Sequence, residues 1–485
     1  MFEALSKEDG TDEKVSAGML LPSFREDEPN IHPSLQPVPQ SPEQLNGQIE
    51  SYLDNVAADF LLDNEYRLSH LSLTASENIP SKAVRMSGCA LQGAFYYFPP
   101  PYDCDAGEWS FPESGAVRSL ENKCVGLGRR LFESATFDWR PNGGSVAEQS
   151  ILLGTCSRGD GFIHFSHRDG GHFALETLAQ KIGVNVYHFP MEDRTRLIDV
   201  HGVEQMIKDH PEIKLVILDQ SFKLRWQPLL QIRRILPETV FLSYDASHDG
   251  GLIAGGALPQ PLLLGADAVH GSTHKTFAGP QKGYIAFKNR QHEKLKLVSD
   301  WVCPHFQSNS HAELLAPMTF ALLELALYGR DYAQQVVANA KALAIALVDE
   351  GLNVFGESFG YTETQQVHVV LGNADQALAA VLGVLPKAGI RANNIEVPGT
   401  NGLYGLRLGT QALTRRGMQE NEMKEVARFM CRALLKKERP EALRAEISSF
   451  SRTFPLDNLA FSLDPAMETP EGKRLIEEVL GWRLI

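Results

Sequence analysis

Between about residue 140 and 290, short apolar runs alternate with stretches of helical period. The runs are Phe162-Ile-His-Phe165, Val184-Asn-Val-Tyr-His-Phe189, Leu215-Val-Ile-Leu218, Val240-Phe-Leu-Ser-Tyr244 and Tyr284-Ile-Ala-Phe287. Each has the length of a strand, and the intervals leave room for crossover helices, so the pattern predicts a mostly parallel sheet covered by helices. Upstream, Ser41-Pro42-Glu43-Gln44 has the form of a capping box with proline at the first helical position, and Leu45, Ile49, Leu53, Val56 and Phe60 follow at helical spacing. That helix carries one apolar face, which docks on its own chain or on a second copy. Downstream, a long helical stretch over about 312 to 347 leads into a smaller block. It holds strand-like Gln366-Val-His-Val-Val-Leu371 and Tyr404-Gly-Leu-Arg-Leu408, with helices near 374 to 386 and 418 to 436. The expected fold is α/β: a three-layer αβα large domain over residues 86–315, then a smaller α+β domain over 316–485. Residues 41–85 form an N-terminal helical segment. Residues 1–40, polar and interrupted by Pro22, Pro29, Pro33, Pro37 and Pro39, read as an arm without regular structure.

Charge removes two partner classes. The chain of 485 residues has 46 Lys+Arg against 60 Asp+Glu, a formal charge of -14. Nucleic acid and anionic membranes need clustered cations in excess, so neither is expected as the main partner. No apolar run approaches the roughly 18 to 20 residues of a membrane span, and the start, Ser6-Lys-Glu-Asp9, is unlike a signal peptide. A soluble cytoplasmic protein is expected. Cys89, Cys104, Cys124, Cys156, Cys303 and Cys431 include no Cys-x-x-Cys pair and read as reduced thiols, most of them core. His164, His167 and His172, with Asp169 among them, resemble metal ligands in type. They span a strand and a loop at a spacing that fits no common zinc pattern, so no metal is expected.

In parallel sheets the ligand sits at the carboxyl ends of the strands, so the polar residues just after each run carry the information. Asn142-Gly143-Gly144-Ser145 opens a helical segment and offers backbone N–H groups to an anion; alone it is as well read as a structural turn. Asp245-Ala-Ser-His248 follows one strand. Ser272-Thr-His274-Lys275 follows another and leads into the turn Gly279-Pro280. A lysine desolvated at a strand end is an amine able to condense with an aldehyde. An aspartate at the neighbouring strand end is suited to hold a pyridinium nitrogen protonated. Arg407, alternating with apolar neighbours in Gly405-Leu-Arg-Leu-Gly-Thr410, presents a fork that matches a carboxylate, although an isolated arginine of this kind is more often a structural ion pair. Together they point to pyridoxal phosphate and an α-amino acid.

These residues, with Leu73-Thr-Ala-Ser-Glu-Asn78, Gly251-Leu-Ile253 and Ala412-Leu-Thr-Arg-Arg-Gly417, resemble serine hydroxymethyltransferase, collinearly from about residue 45 to 435. The resemblance implies the fold known as type I, pyridoxal 5'-phosphate as cofactor, and a homodimer with shared active sites. It implies Lys275 as the lysine bonded to the cofactor, Asp245 as partner of the pyridine nitrogen, and His248 near the cofactor hydroxyl. Gly143, Gly144 and Ser145 correspond to the phosphate cradle with His274 beside them, and Ser221 to a second polar cofactor contact. Asp169 aligns with the histidine that stacks on the cofactor. Ser76 and Arg407 correspond to the substrate-carboxylate clamp, Glu77 to a further substrate-binding residue, and Tyr96 to a tyrosine of the substrate site.

The departures matter as much. The family's Tyr-Ala-Glu-Gly-Tyr-Pro becomes Tyr96-Tyr97-Phe98-Pro99-Pro100 in this region, so Phe98 stands where the proton-moving glutamate of folate-dependent transfer would be. A phenyl ring moves no proton. A tyrosine pair becomes Trp109-Ser110-Phe111, Pro-Gly-Gly-Gln becomes Pro304-His-Phe-Gln307, and Gly-Pro-Arg-Gly-Gly becomes Gly279-Pro-Gln-Lys-Gly283. The expected activity is formation or cleavage of the Cα–Cβ bond of a β-hydroxy amino acid, as an aldolase, transaldolase or folate-independent hydroxymethyl transferase. In it Lys275 and Arg407 bind cofactor and substrate, and Tyr96 or His248 assists proton transfer. The alternatives are β-elimination, decarboxylation or oxidative decarboxylation of a larger amino-acid conjugate in specialised metabolism, ordinary folate-dependent transfer, and a non-catalytic scaffold.

Overall fold

The computed structural model describes residues 41–89, 95–97 and 115–475. The arm, Cys104 and the stretch holding Phe98, Trp109, Ser110 and Phe111 lie outside them. The chain divides into one unit ending at Asn64 and a second beginning at Glu65. In the first, the described helix starts at Pro42, directly after Ser41, and it runs on to Leu68.

In the second unit the strands are β1 (Leu71–Ser72), β2 (Gly161–His164), β3 (Asn185–His188), β4 (Ile213–Leu218), β5 (Phe241–Asp245), β6 (Ala268–Ser272), β7 (Gly283–Phe287), β8 (Asn353–Val354), β9 (Gln366–Gly372), β10 (Ile390–Arg391), β11 (Asn393–Glu396) and β12 (Tyr404–Gly409). Six form the large sheet, in the order β3-β2-β4-β5-β6-β7. All its pairings are parallel except β6 with β7. The connection between those two, from Ser272 to Gly283, is too short for a crossover helix, so the chain must return antiparallel.

The strands read as apolar runs because both faces are covered. Ile163, Val216, Leu242, Val269 and Ala286 belong to one core, while Phe162, Leu215, Phe241, Ala268 and Ile285 face the other. A second sheet, β11-β12-β9-β8, is antiparallel. It packs with the helix Glu420–Leu434 around Val367, Val369, Leu406, Leu408, Val426 and Met430.

The long helix Leu315–Asp349 belongs to both parts: Met318 and Leu322 sit in the core of the large sheet, Leu343 and Leu347 in that of the small one. Its composition corrects the expectation that no segment is apolar enough to span a bilayer, since Ala312–Asp349 reaches a mean hydropathy of 1.3 over 18 residues. The reason is that this helix is packed by two cores rather than one. Among the described residues the five cysteines form no disulfide, Cys89 being exposed and the others buried.

Candidate active site

The helix Gly144–Thr155 begins beside the end of β6, and no side chain caps its N-terminus. Its first N–H groups are therefore open to an anion. The approach is close: a Cβ on Gly144 would lie 3.0 Å from both Ser247 Oγ and Ser272 Cβ. Ser272 N donates to Ser247 Oγ at 3.0 Å, which ties the turn after β5 to the strand leading to Lys275. Gln307 accepts from Asn142 N at 3.1 Å and donates to the Arg140 carbonyl at 2.9 Å, bracing the glycine turn from behind.

Lys275 follows β6. Its Nζ lies 3.4 Å from His248 Nε2, and its carbonyl accepts from Asn78 Nδ2 at 2.6 Å. Burial holds the Lys275 ammonium below the ordinary lysine value, against the opposite pull of Asp245. Burial pushes His248 far down, and the charges of Lys275 and Arg407 add to this, so its ring is neutral. Asp245 ends β5. Burial would raise its carboxyl, but His270, Lys275 and the Ser247 N–H, which donates at 2.7 Å, leave it below the usual range, ionised and suited to a cationic ring nitrogen. Burial and the Lys275 charge hold His274 down, to about 4.

Arg407, on β12, is 8% exposed. Its Nη1 donates to the Ser221 carbonyl at 3.2 Å, its Nε to Asn393 Oδ1 at 3.3 Å, and the guanidinium lies 5.2 Å from the Phe222 ring centre. Among the described residues no carboxylate pairs with it, which leaves a buried cation fitted for the carboxylate of a substrate. The segment carrying Ser76 runs against the same strand: Thr74 bridges Leu408, and Gln411 Nε2 donates to the carbonyls of Thr74 and Glu77 at 3.1 and 2.6 Å.

The structure thus gathers Gly143, Gly144, Ser145, Asp245, His248, His274 and Lys275 at one sheet end, and sets Ser221 and the Ser76 segment by Arg407. Two of the remaining predicted residues are engaged elsewhere. Glu77 accepts from Arg391 Nη2 at 2.7 Å and from Ser72 Oγ at 3.1 Å, so its carboxylate is held by its own chain. Asp169 bonds Arg196 and Ser166. The same loop carries His172, whose Nδ1 lies 2.9 Å from Glu148 Oε2. Gly171 makes that turn, since a Cβ there would run into the Phe165 carbonyl. Burial works against a charge on His172, but Glu148, with Asp245 and Asp219 behind it, carries the imidazole up to about 9. Burial takes Glu148 up to about 7 despite His172.

Sequence reasoning placed His172 only in a group resembling metal ligands, and missed Glu148 and His270. Carboxylate and imidazole atoms of Glu148, Asp245 and His270 lie within 4.8 Å of one another. Tyr96 is 51% exposed, while its neighbour Tyr97 is buried with its OH 2.8 Å from Glu121 Oε2. His164, His167, His172 and Asp169 do not converge: His164 bonds Asp219 and His172 pairs with Glu148.

Three buried ring nitrogens in this region have no partner: His248 Nδ1 and His274 Nδ1, on residues beside Lys275, and His270 Nε2, on the residue beside Asp245. With an open helix start and an ionised aspartate, these residues fit a group bearing a phosphate, an aldehyde and a ring nitrogen. When bound, pyridoxal phosphate supplies an electron sink for the pair left by a broken bond at Cα. Fold and site define a pyridoxal phosphate-dependent enzyme of fold type I.

Comparison with known proteins narrows this. The chain belongs to the serine hydroxymethyltransferase family, whose model matches residues 52–430. It is 35% identical to the serine hydroxymethyltransferase of Archaeoglobus fulgidus over 412 residues, covering 83% of this chain and 91% of that one. Identity to the Pyrococcus abyssi enzyme is 36% over 418 residues, with 83% and 95% covered. Among solved structures it resembles an L-threonine transaldolase from Pseudomonas fluorescens in its internal aldimine state. That match has a TM-score of 0.88 and 49% identity, covering 90% of this chain and 99% of the other.

Proposed function

We propose that the chain is a folate-independent transaldolase. It takes the glycine unit of a β-hydroxy-α-amino acid of the threonine class, releases that donor's aldehyde, and joins the unit to a second aldehyde. One Cα–Cβ bond breaks and one forms, with no net redox change and no loss of ammonia or carbon dioxide. The observation that carries this is Phe98, which stands where the family has the glutamate of folate-dependent transfer. An aldehyde acceptor needs no folate, and a phenyl group cannot carry the proton that the family's glutamate moves. The 49% identical transaldolase supports the same reading.

Arg407 holds and orients the donor carboxylate, which sets the bond at Cα that breaks. His248, neutral and 3.4 Å from Lys275 Nζ, is placed to take or return a proton at that nitrogen. We also read the enzyme as a homodimer with shared sites, since Ile49, Leu53, Val56 and Phe60 are exposed along one helix and the Tyr96 ring is half exposed; light scattering tests this.

The test of the reaction gives the purified holoprotein L-threonine and an aromatic aldehyde without folate. Release of acetaldehyde in step with a new β-hydroxy amino acid, seen by mass spectrometry, supports it. Turnover of serine only with tetrahydrofolate, or evolution of ammonia or carbon dioxide, overturns it.

A further inference from the structure

A second cluster of ligating side chains lies at the edge of the large sheet. β2 and β3 are parallel neighbours, and their register pairs His164 with His188 at the carboxyl ends. The two rings lie 5.2 Å apart between centres. The helix joining the strands, Phe173–Ile182, places Glu176 in its first turn over them. One ligand atom from each of His164, Glu176 and His188 lies within 4.8 Å of the other two. His188 Nε2 is 3.7 Å from Glu176 Oε2.

We propose that His164, Glu176 and His188 form a binding site for a divalent cation of the zinc class. The independent observation is His164. Its side chain is 1% exposed, its Nδ1 meets Asp219 Oδ2 at 3.1 Å, and its Nε2 is buried without any partner. A carboxylate on one imidazole nitrogen fixes the tautomer and turns the lone pair of the other outward, as it does behind metal-ligating histidines. Asp219 is itself held, Oδ1 by Phe165 N at 3.0 Å and Oδ2 by His172 N at 2.8 Å.

Two imidazoles and one carboxylate suit zinc better than calcium or magnesium, which take oxygen ligands. Ligand atoms around a tetrahedral zinc stand about 3.4 Å apart, so the outer two must close in by roughly 1 Å. Glu176 and His188, 34% and 42% exposed, are free to do so and leave a fourth position to water. Because Asp219 also binds the backbone of His172, the ion would brace the loop that carries that ring. The site is therefore positional rather than catalytic.

The experiment uses untagged, full-length holoenzyme, stripped with a chelator and titrated with zinc chloride, zinc being read by mass spectrometry and the melting temperature by scanning fluorimetry. One zinc per chain and a raised melting temperature are expected for the wild type and for His201→Ala, a control 87% exposed. His188→Ala and Glu176→Gln, at half-exposed positions that fold without them, should each bind at least tenfold more weakly and show no such rise. A stripped wild type that takes up no zinc, variants that bind as tightly as the wild type, or equal affinity for magnesium would each overturn the proposal.

Discussion

Replacing Glu148 by glutamine separates the charge on His172 from everything else in the site. The carboxylate is 3% exposed and the ring 27%, with 2.9 Å between Glu148 Oε2 and His172 Nδ1. The imidazole rises from 6.5 to about 9, a difference of about 2.5, despite a burial cost that pushes the other way. At about 1.4 kcal/mol per unit this is on the order of 3 kcal/mol, and water at the exposed part of the ring trims it. A histidine raised on folding stabilises the native state fully below pH 6.5, and the contribution is lost as pH climbs through about 9. Glu148, raised from 4.5 to about 7, follows the same sign: it favours the native state below 4.5 and loses that through about 7. Both slopes should flatten in Glu148→Gln. Deuterium exchange at the imidazole C2 position reads the ring directly, and trypsin isolates it, because the peptide from Asp169 to Lys181 contains His172 as its sole histidine. In the cofactor-free protein the midpoint is expected near 9, and it should fall in the variant. A wild-type midpoint below 7, or no movement on substitution, would refute the assignment of Glu148 as the group that charges the ring.

Other perturbations test the site and the scaffold separately. Lys275→Ala should abolish the visible absorbance of bound cofactor and reduce turnover to background; retention of both would remove Lys275 from its role. Arg407→Lys keeps the charge but loses the fork. The KM for the amino-acid donor should rise about 10- to 100-fold, matching the roughly 1.5–3 kcal/mol of a charged hydrogen bond, while the cofactor spectrum stays as it is; an unchanged KM would show that the carboxylate binds elsewhere. Arg415 Nη2 meets Glu324 Oε2 at 2.9 Å, with side chains 2% and 4% exposed. Arg415→Met leaves a buried carboxylate without its partner and should cost about 3–5 kcal/mol, partly recovered on adding Glu324→Leu. Thermal and urea melts that barely move would contradict this.

Strand ends explain why the chemistry of Lys275, Asp245 and Arg407 was legible in one dimension. Each follows, or alternates within, an apolar run, where a charge has no reason to be unless something binds there. The strand reading was close for the same reason: Phe162–Phe165 against the observed Gly161–His164, and Val240–Tyr244 against Phe241–Asp245. Glu148 was not legible, because Val146-Ala-Glu-Gln looks like an ordinary helical start with an outward acid. His270 sits inside a strand and reads as a core ring. What brings them to the site is that a helix and two strands converge on Asp245, and no spacing in the chain encodes that. Asp169 failed for a more local reason. It adjoins Gly170-Gly171, where the positive φ of 97° at Gly170 turns the chain, and its carboxylate is taken up by Arg196 and Ser166, partners that no spacing in the chain announces.

The helix Leu315–Asp349 has 35 residues and so is about 52 Å long. Its two ends complete different cores, one under the cofactor residues and one under Arg407. Neither core can melt without stripping the packing from half of this beam, so the part that carries Lys275 and the part that carries Arg407 should share one cooperative transition. Calorimetry of the holoenzyme should accordingly give a single endotherm for the body from Glu65 onward, and two resolved transitions would mean the beam can fray at one end. The helix thus ties the sheet end that carries Lys275 to the strand that carries Arg407, so loss of packing at either end is felt at both.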